Sequence, residues 1–343
     1  MAQNGKLSFV LPVTFGEKGV SLNGSHSWRH SPDEGAPVRT RLLLASFLKN
    51  FEQDDLGDFY VVCSADDMPA LSALLASLTS DPRYRIVHEL DVCPDIPKAI
   101  NPDTGTVDGW FVQQLIKFSM AQYVSSSHYV TLDSDILCIR PFSYGSLVFD
   151  GLALTNIETV SDYERIYTAD FSAREVAIKS DRYQRAAEML GYRRPPASSL
   201  VFYGETPVVL QVQSVIALAE YLKERFLKPW SHTLATRLSW TEQALYYQFL
   251  EMTGRLTSVC NLTGCNGVLD LEKSVWQASA RYRQPRVYDV DHFTRGRQDG
   301  AGGFFVAIQS WLPTASWLPP RCRELSDFYH EVEGWLLGRD GTN

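Results

Sequence analysis

Two aspartates one residue apart, Asp133 and Asp135, interrupt the run HYVTLDSDILCIRP at His128–Pro141. From His128 to Leu132 the composition favours a buried strand, and a second apolar run, Ile136 to Ile139, follows at once. Carboxylates at the end of such a strand are costly unless something cationic meets them. In open α/β sheets that end is where ligands bind. Residues i and i+2 of a strand face the same way, so the two acids converge on one divalent ion if strand geometry persists through Ser134, whereas a turn there changes their aim. Hard oxygen ligands suit Mg²⁺ or Mn²⁺, ions commonly shared with substrate phosphates.

Other residues have chemistry within reach. On the helix expected over Trp110–Tyr123, the side chains of Trp110, Gln114 and Lys117 share a face, with Gln113 adjacent. The lysine could reach a phosphate and the glutamines a sugar or base; the plain alternative is an amphipathic helix with a solvated lysine. Pro12-Val13-Thr14 and Ser64-Ala65-Asp66 close the first two strands, where a nucleotide would meet the sheet, and ordinary turn and cap chemistry competes with that role. Ser239-Trp240-Thr241-Glu242 fits a capping box with Ser239 as the cap, yet Glu242 also suits a general base for an acceptor hydroxyl. Trp240 suits either a sugar-stacking platform or a core anchor.

The elements that must position these groups alternate. Strands are expected at Leu7–Val13, Asp58–Cys63, Tyr84–Leu90 and His128–Leu132, with helices over Arg39–Phe51, Met68–Leu78 and Trp110–Tyr123 between them. Ser64 and the aspartates after it are placed to cap the second helix. Such alternation predicts an α/β fold with a mostly parallel central sheet flanked by helices. Residues 16–38 read as a long Gly-, Ser- and Pro-rich loop. Later strands are expected at Leu152–Ile157, Ser199–Tyr203, Val287–Asp291 and Phe304–Ile308. Helices are expected over 161–191, over Thr206–Phe226 with Pro207 in its first turn, and over Trp240–Met252 and Arg323–Leu337, while Asn261–Asp270 reads as a flexible loop. One domain over 1–343 is expected: a nucleotide-binding half to residue 141, an acceptor-side half over 142–320, and a closing helix over 321–343.

Composition narrows the function. With 343 residues, 45% hydrophobic, 21% charged and a net charge of −8, the chain reads as a globular protein without a nucleic-acid footprint. No apolar run reaches membrane-spanning length, and MAQNGKLSFVLPV lacks the charge and apolar length of a signal peptide. A cytoplasmic location is the default expectation, with peripheral attachment to a membrane left open. The six cysteines lack CxxC spacing and are expected to be reduced, with Cys260 and Cys265 the nearest pair. No Walker sequence, no GxGxxG after a strand and no HExxH occurs, which argues against a P-loop NTPase, a Rossmann dehydrogenase and a zincin.

The segments Trp110…Gln113-Gln114-Leu115-Ile116-Lys117 and Tyr129-Val130-Thr131-Leu132-Asp133-Ser134-Asp135-Ile136 resemble the DxD region of GT-A-type glycosyltransferases, in the style of the glycogenin-like enzymes. Thr206-Pro207 and Trp240–Tyr246 resemble an uncharacterised bacterial branch of that superfamily. The resemblance implies a GT-A fold. It also implies a UDP- or GDP-sugar donor and a hydroxyl acceptor, a glycan or small glycoside. It further implies Mn²⁺ or Mg²⁺ on the donor diphosphate. Asp135 would be the direct ligand, with Asp133 on the ribose or the metal. A late histidine often completes such a site, which nominates His292, with His232 as its rival. Retention follows from the glycogenin-like first half, inversion from Glu242 as a base. A nucleotidyltransferase shares the sheet and the paired acids but usually has a tight Gly-rich loop after the first strand. Here that loop has Gly16, Lys18 and Gly19. A sugar- or nucleotide-binding module without turnover is the non-enzymatic alternative.

Overall fold

The computed structural model describes residues 3–15, 35–195, 201–294 and 302–338. Four parallel strands come from the alternating first half: β1 (Gln3–Pro12), β2 (Leu56–Cys63), β3 (Tyr84–His88) and β4 (Ser126–Thr131). The next strands are β5 (Ile136–Cys138), β6 (Val148–Phe149), β7 (Leu152–Thr159), β8 (Val201–Tyr203), β9 (Val208–Gln211), β10 (Cys260–Thr263) and β11 (Phe305–Ala307). The central sheet has the order β3–β2–β1–β4–β9, with β9 antiparallel to β4. A smaller sheet gathers β10, β7 and β6, with β8 beside β7, and β5 pairs with β11.

The central strands are buried on both faces, so their side chains alternate between two cores. Phe9 turns toward the helix Ala36–Asn50, its ring 4.5 Å from that of Phe47 and 5.9 Å from that of Phe59. Its neighbour Val10 turns the other way and joins Leu115 and Ile116 of the helix Gly109–Ser119. Covered faces of this kind are what a parallel sheet requires. Among the described residues no helix is long and apolar enough to cross a membrane.

The structure departs from expectation at four places. Val208–Gln211 is a strand and the helix starts at Val212; Pro207 therefore precedes a strand rather than opening a helix. The β-branched run pairs with β4, and that pairing outweighs the helix-start signal of the proline. Residues 261–263, the start of the loop expected over Asn261–Asp270, belong to β10 and are ordered by parallel pairing with β7. Val287–Asp291 is not a strand: Val290–Thr294 is one turn of helix, and the Asp289 carboxylate accepts a hydrogen bond from the His292 amide at 2.8 Å. Asp67 leads into the helix Met68–Leu78 without capping it, because its carboxylate accepts from Thr14 and Ser64. Most of the loop expected over 16–38, its Gly16, Lys18 and Gly19 included, lies outside the described residues.

Phe9 carries the packing between β1 and its helix layer. Phe9→Ala is expected to cost about 3–5 kcal/mol, read as a lower urea midpoint at unchanged m-value.

Candidate functional site

A cavity of about 1300 Å³ opens where β1, β2 and β4 end, lined there by Pro12, Val13, Thr14, Val62 and Asp133–Ile136. Strand geometry does not persist through Ser134. The Ile136 amide donates to the Asp133 carbonyl at 3.2 Å, and a turn carries the chain into β5. The two acids are therefore aimed by different partners. Asp133 Oδ1 accepts from Lys117 Nζ at 2.7 Å, while Asp135 Oδ2 accepts from the Ser310 amide at 3.2 Å. Pairing of β5 with β11 brings Ser310 to that place.

Lys117 is 1% exposed. Its ammonium also donates to Glu242 Oε1 at 2.9 Å and Thr206 Oγ1 at 3.3 Å. Burial opposes its charge, but Asp133 and Glu242 outweigh burial and hold its pKa above the ordinary lysine value. The helix that bears it is capped by Asp108, whose side chain accepts from the amides of Trp110 and Phe111.

Glu242 opens the helix Glu242–Met252, and the cap is Thr241, not Ser239, so the expected capping box does not form. Glu242 does not reach back along its own chain; its carboxylate turns to Lys117 and Gln243. Burial pushes its pKa up, Lys117 pulls against that, and Asp133 adds to the rise. Gln114 is spent on structure: its Oε1 accepts the Glu242 amide at 2.9 Å and its Nε2 donates to the Trp110 carbonyl at 3.1 Å. Each end of that amide already carries one structural bond.

Asp135 has its pKa pushed up to about 6, first by burial and then by the charge of Asp133, while Arg39 works the other way. Two mutually repelling carboxylates facing a cavity are a donor set that fits a hard divalent ion with several positions left for water or substrate oxygens. The third expected ligand is elsewhere. His292 is held with Nε2 3.1 Å from the Lys273 carbonyl and its ring edge-on to Tyr288 at 5.1 Å. Burial and then Arg286 bring its pKa down to about 4. Among the described residues no three His, Cys, Asp or Glu side chains gather as a metal site. His232 faces Lys98 and Asp95 instead.

Pro12, Thr14, Trp110, Lys117 and Ser134 line the cavity. Ser64 does not; it donates to Asp67, which also accepts from Thr14 and so steadies the strand ends. Trp240 touches the cavity but is 1% exposed, stacked on Phe118 with its indole N–H on the Leu234 carbonyl; it is a core anchor rather than a platform. The half-buried rings available to a ligand are Trp110, Trp276 and Trp311.

Three lining residues were missed by sequence reasoning. Arg39 lies in the first turn of the helix Ala36–Asn50 beside Asp135. Its signal is a basic residue at a helix start after a strand and loop, a common phosphate-binding placement. Glu205 and Lys179 pair at 2.9 Å, and Lys179 also donates to Glu158 at 2.5 Å. Burial opposes the Glu205 charge, but Lys179 and then Arg182 hold its pKa below the ordinary glutamate value. Glu158, Lys179 and Glu205 are far apart in sequence, and nothing local marks them as partners.

Residues 4–333 match the sequence profile of a family of unknown function, DUF6492. No curated protein matches the chain significantly. The apo form of mouse xyloside xylosyltransferase 1 resembles it with a TM-score of 0.44 at 14% identity, over 92% of this chain and 99% of that one. The galactosyltransferase LgtC, in complex with donor and acceptor sugar analogs, gives 0.43 at 10% identity over 97% and 95%. The 4-diphosphocytidyl-2C-methyl-D-erythritol synthase of Anaerococcus prevotii gives 0.36 at 14% identity over 76% and 88%. Likenesses this distant assign no chemistry.

Lys117→Met leaves a buried carboxylate without its counter-charge. It is expected to cost about 3–5 kcal/mol in urea unfolding at neutral pH. The loss should shrink when Glu242→Gln is added; an equal loss in the double variant would mean that packing, not charge, is what Lys117 supplies.

Proposed function

We propose an activity for this chain, which belongs to DUF6492, a family of unknown function. It is a metal-dependent glycosyltransferase of GT-A type, moving a sugar from a nucleotide-diphosphate sugar to a hydroxyl acceptor. The observation that carries this reading is the pair Asp133 and Asp135, facing one cavity at the carboxyl end of a parallel strand beside a buried lysine.

Each group has a use in that reaction. Pro12, Thr14 and Val62 meet the nucleoside at the ends of β1 and β2. Asp133 and Asp135 would hold Mn²⁺ or Mg²⁺, which would supply positive charge to the leaving diphosphate. Arg39, in the same wall, adds a fixed cation to that side. Glu242 is locked to Lys117 and acts by holding the lysine and Asp133 in place. Glu205 is the carboxylate presented to the transferred sugar and the acceptor. Its depressed pKa keeps it ionised and a weak base, so it accepts hydrogen bonds from hydroxyls without taking their protons.

The test is a panel of UDP- and GDP-sugars with Mn²⁺, read as thermal shift and as slow release of nucleoside diphosphate. A transferase leaks diphosphate to water. Pyrophosphate release from a nucleoside triphosphate and a sugar phosphate would establish the nucleotidyltransferase instead, and a shift without release a binding module. Asp135→Asn is expected to abolish release without lowering the melting temperature of the metal-free chain, and wild-type turnover in that variant would sink the metal role.

The acid also sets a pH dependence. Asp135 is protonated up to about pH 6 in the folded chain but only to about pH 4 when unfolded. The folded state therefore binds the extra proton in that window, and without metal its stability falls as pH rises through it. Mn²⁺ must displace the proton, so the Mn²⁺-dependent thermal shift is expected to grow from pH 5 to pH 7 and to lose that slope in Asp135→Asn.

A further inference from the structure

The chain is acidic, with a net charge of −8, yet one wall of the cavity is rich in arginine. On the helix Ala169–Leu190, Arg174, Arg182 and Arg185 face the cavity along about 16 Å of helix axis. Arg281 also lines the cavity, its guanidinium 5.5 Å over the ring of Phe171 in the first turn of that helix. A second cavity of about 570 Å³ adjoins the first, sharing Phe111, Arg185, Leu238 and Ser239 with it. Arg225 and Arg237 line that second cavity, the latter 4.6 Å over the Phe226 ring.

Several acids along this path are already engaged, and burial pushes up the pKa of Glu175, which lines the first cavity beside Arg174. Glu205 is paired with Lys179, Asp181 with Arg185 at 2.8 Å, and Glu188 accepts from Gln184. Asp108 is buried and caps its own helix. Among the described residues Arg174, Arg237 and Arg281 have no carboxylate within ion-pair distance. Arg225 has one structural bond, to the Met189 carbonyl. Guanidinium groups stacked on rings keep their fork of donors free for a planar or tetrahedral anion. A row spread over two cavities suits a chain of anionic units better than a single one.

We propose that the two cavities form one track for an acidic acceptor, an oligosaccharide bearing carboxylates or phosphates. Its accepting hydroxyl lies near Glu205, and its anionic units follow the arginines from Arg182 through Arg185 to Arg237. The assignment of this ligand as acceptor rests on the transferase reading; its binding does not.

The test is fluorescence anisotropy of the full chain, without donor or metal, against three labelled hexamers: oligogalacturonate, maltohexaose phosphate and neutral maltohexaose. At least one charged hexamer is expected to bind about tenfold or more tighter than the neutral one. Its affinity should fall between about 50 and 300 mM salt. The tighter of the two charged probes identifies the anion. The double variant R185Q/R237Q, two exposed positions, should lose about tenfold in that affinity with a melting temperature within about 2 °C. The track is overturned if charged and neutral hexamers bind alike, if none binds, or if the double variant binds the charged probe unchanged. A chain that binds the charged hexamer yet releases no nucleoside diphosphate from any donor loses the transferase reading and keeps the track. One that releases diphosphate but shows no charge preference loses the track alone.

Discussion

A buried ammonium fixes this site. Lys117 has three hydrogens to donate and finds three oxygens, on Asp133, Glu242 and Thr206. Taking that charge out of water is expensive, and a single carboxylate would repay it poorly. Two carboxylates and a hydroxyl satisfy it, and in doing so they join the end of β4 to the helices Gly109–Ser119 and Glu242–Met252. Gln114, one turn earlier on the same helix, makes a second tie by accepting the Glu242 amide. The Asp133 carboxylate is thus oriented before any ligand arrives, which is the condition for electrostatic stabilisation without reorganisation.

The partner acid is treated differently. Asp135 has a backbone amide and no lysine, so burial and its neighbour's charge leave its ionised form disfavoured. Two carboxylates one residue apart in sequence therefore have separate electrostatic surroundings, a division of roles that sites for acid or metal chemistry often show. Arg39 offsets part of the imbalance but does not remove it. The unmet negative charge lies on the cavity side, where a divalent cation would settle it.

How much of this was legible in the sequence follows from how local each signal is. β2, β3 and β4 and the helices between them could be read because each carries its own hydrophobic period, and the paired acids stood out because they end an apolar run. β9 and β10 were misread because short segments become strands through partners far along the chain, β4 and β7. The same distance hid the site's wiring. Lys117 could be placed on a helix face, but nothing nearby says that it meets residue 242 rather than water. Trp240 and Gln114 fall at positions that suggest ligand contact, and only packing shows that one fills the core and the other ties two helices. His292 fits the expected place of a late metal ligand in sequence, whereas an Asp289 cap and a carbonyl of Lys273 decide its actual setting.

A second buried lysine repeats the arrangement on the other side of the cavity. Lys179 lies between Glu158 and Glu205, with its ammonium 5.4 Å over the Tyr163 ring. The two networks meet at consecutive residues: Glu205 accepts from Lys179 and Thr206 accepts from Lys117. These two residues join β8 to β9, and β9 is hydrogen-bonded to β4, which carries the paired acids. The arginine-bearing helix is therefore anchored to the end of the sheet that carries the paired acids through a short segment with a buried ion network at each side. A shift of that helix would have to move Glu205 or leave a buried charge unpaired, and both are costly. The wall that would select the acceptor and the acids that would hold the donor are in this way held in one fixed relation.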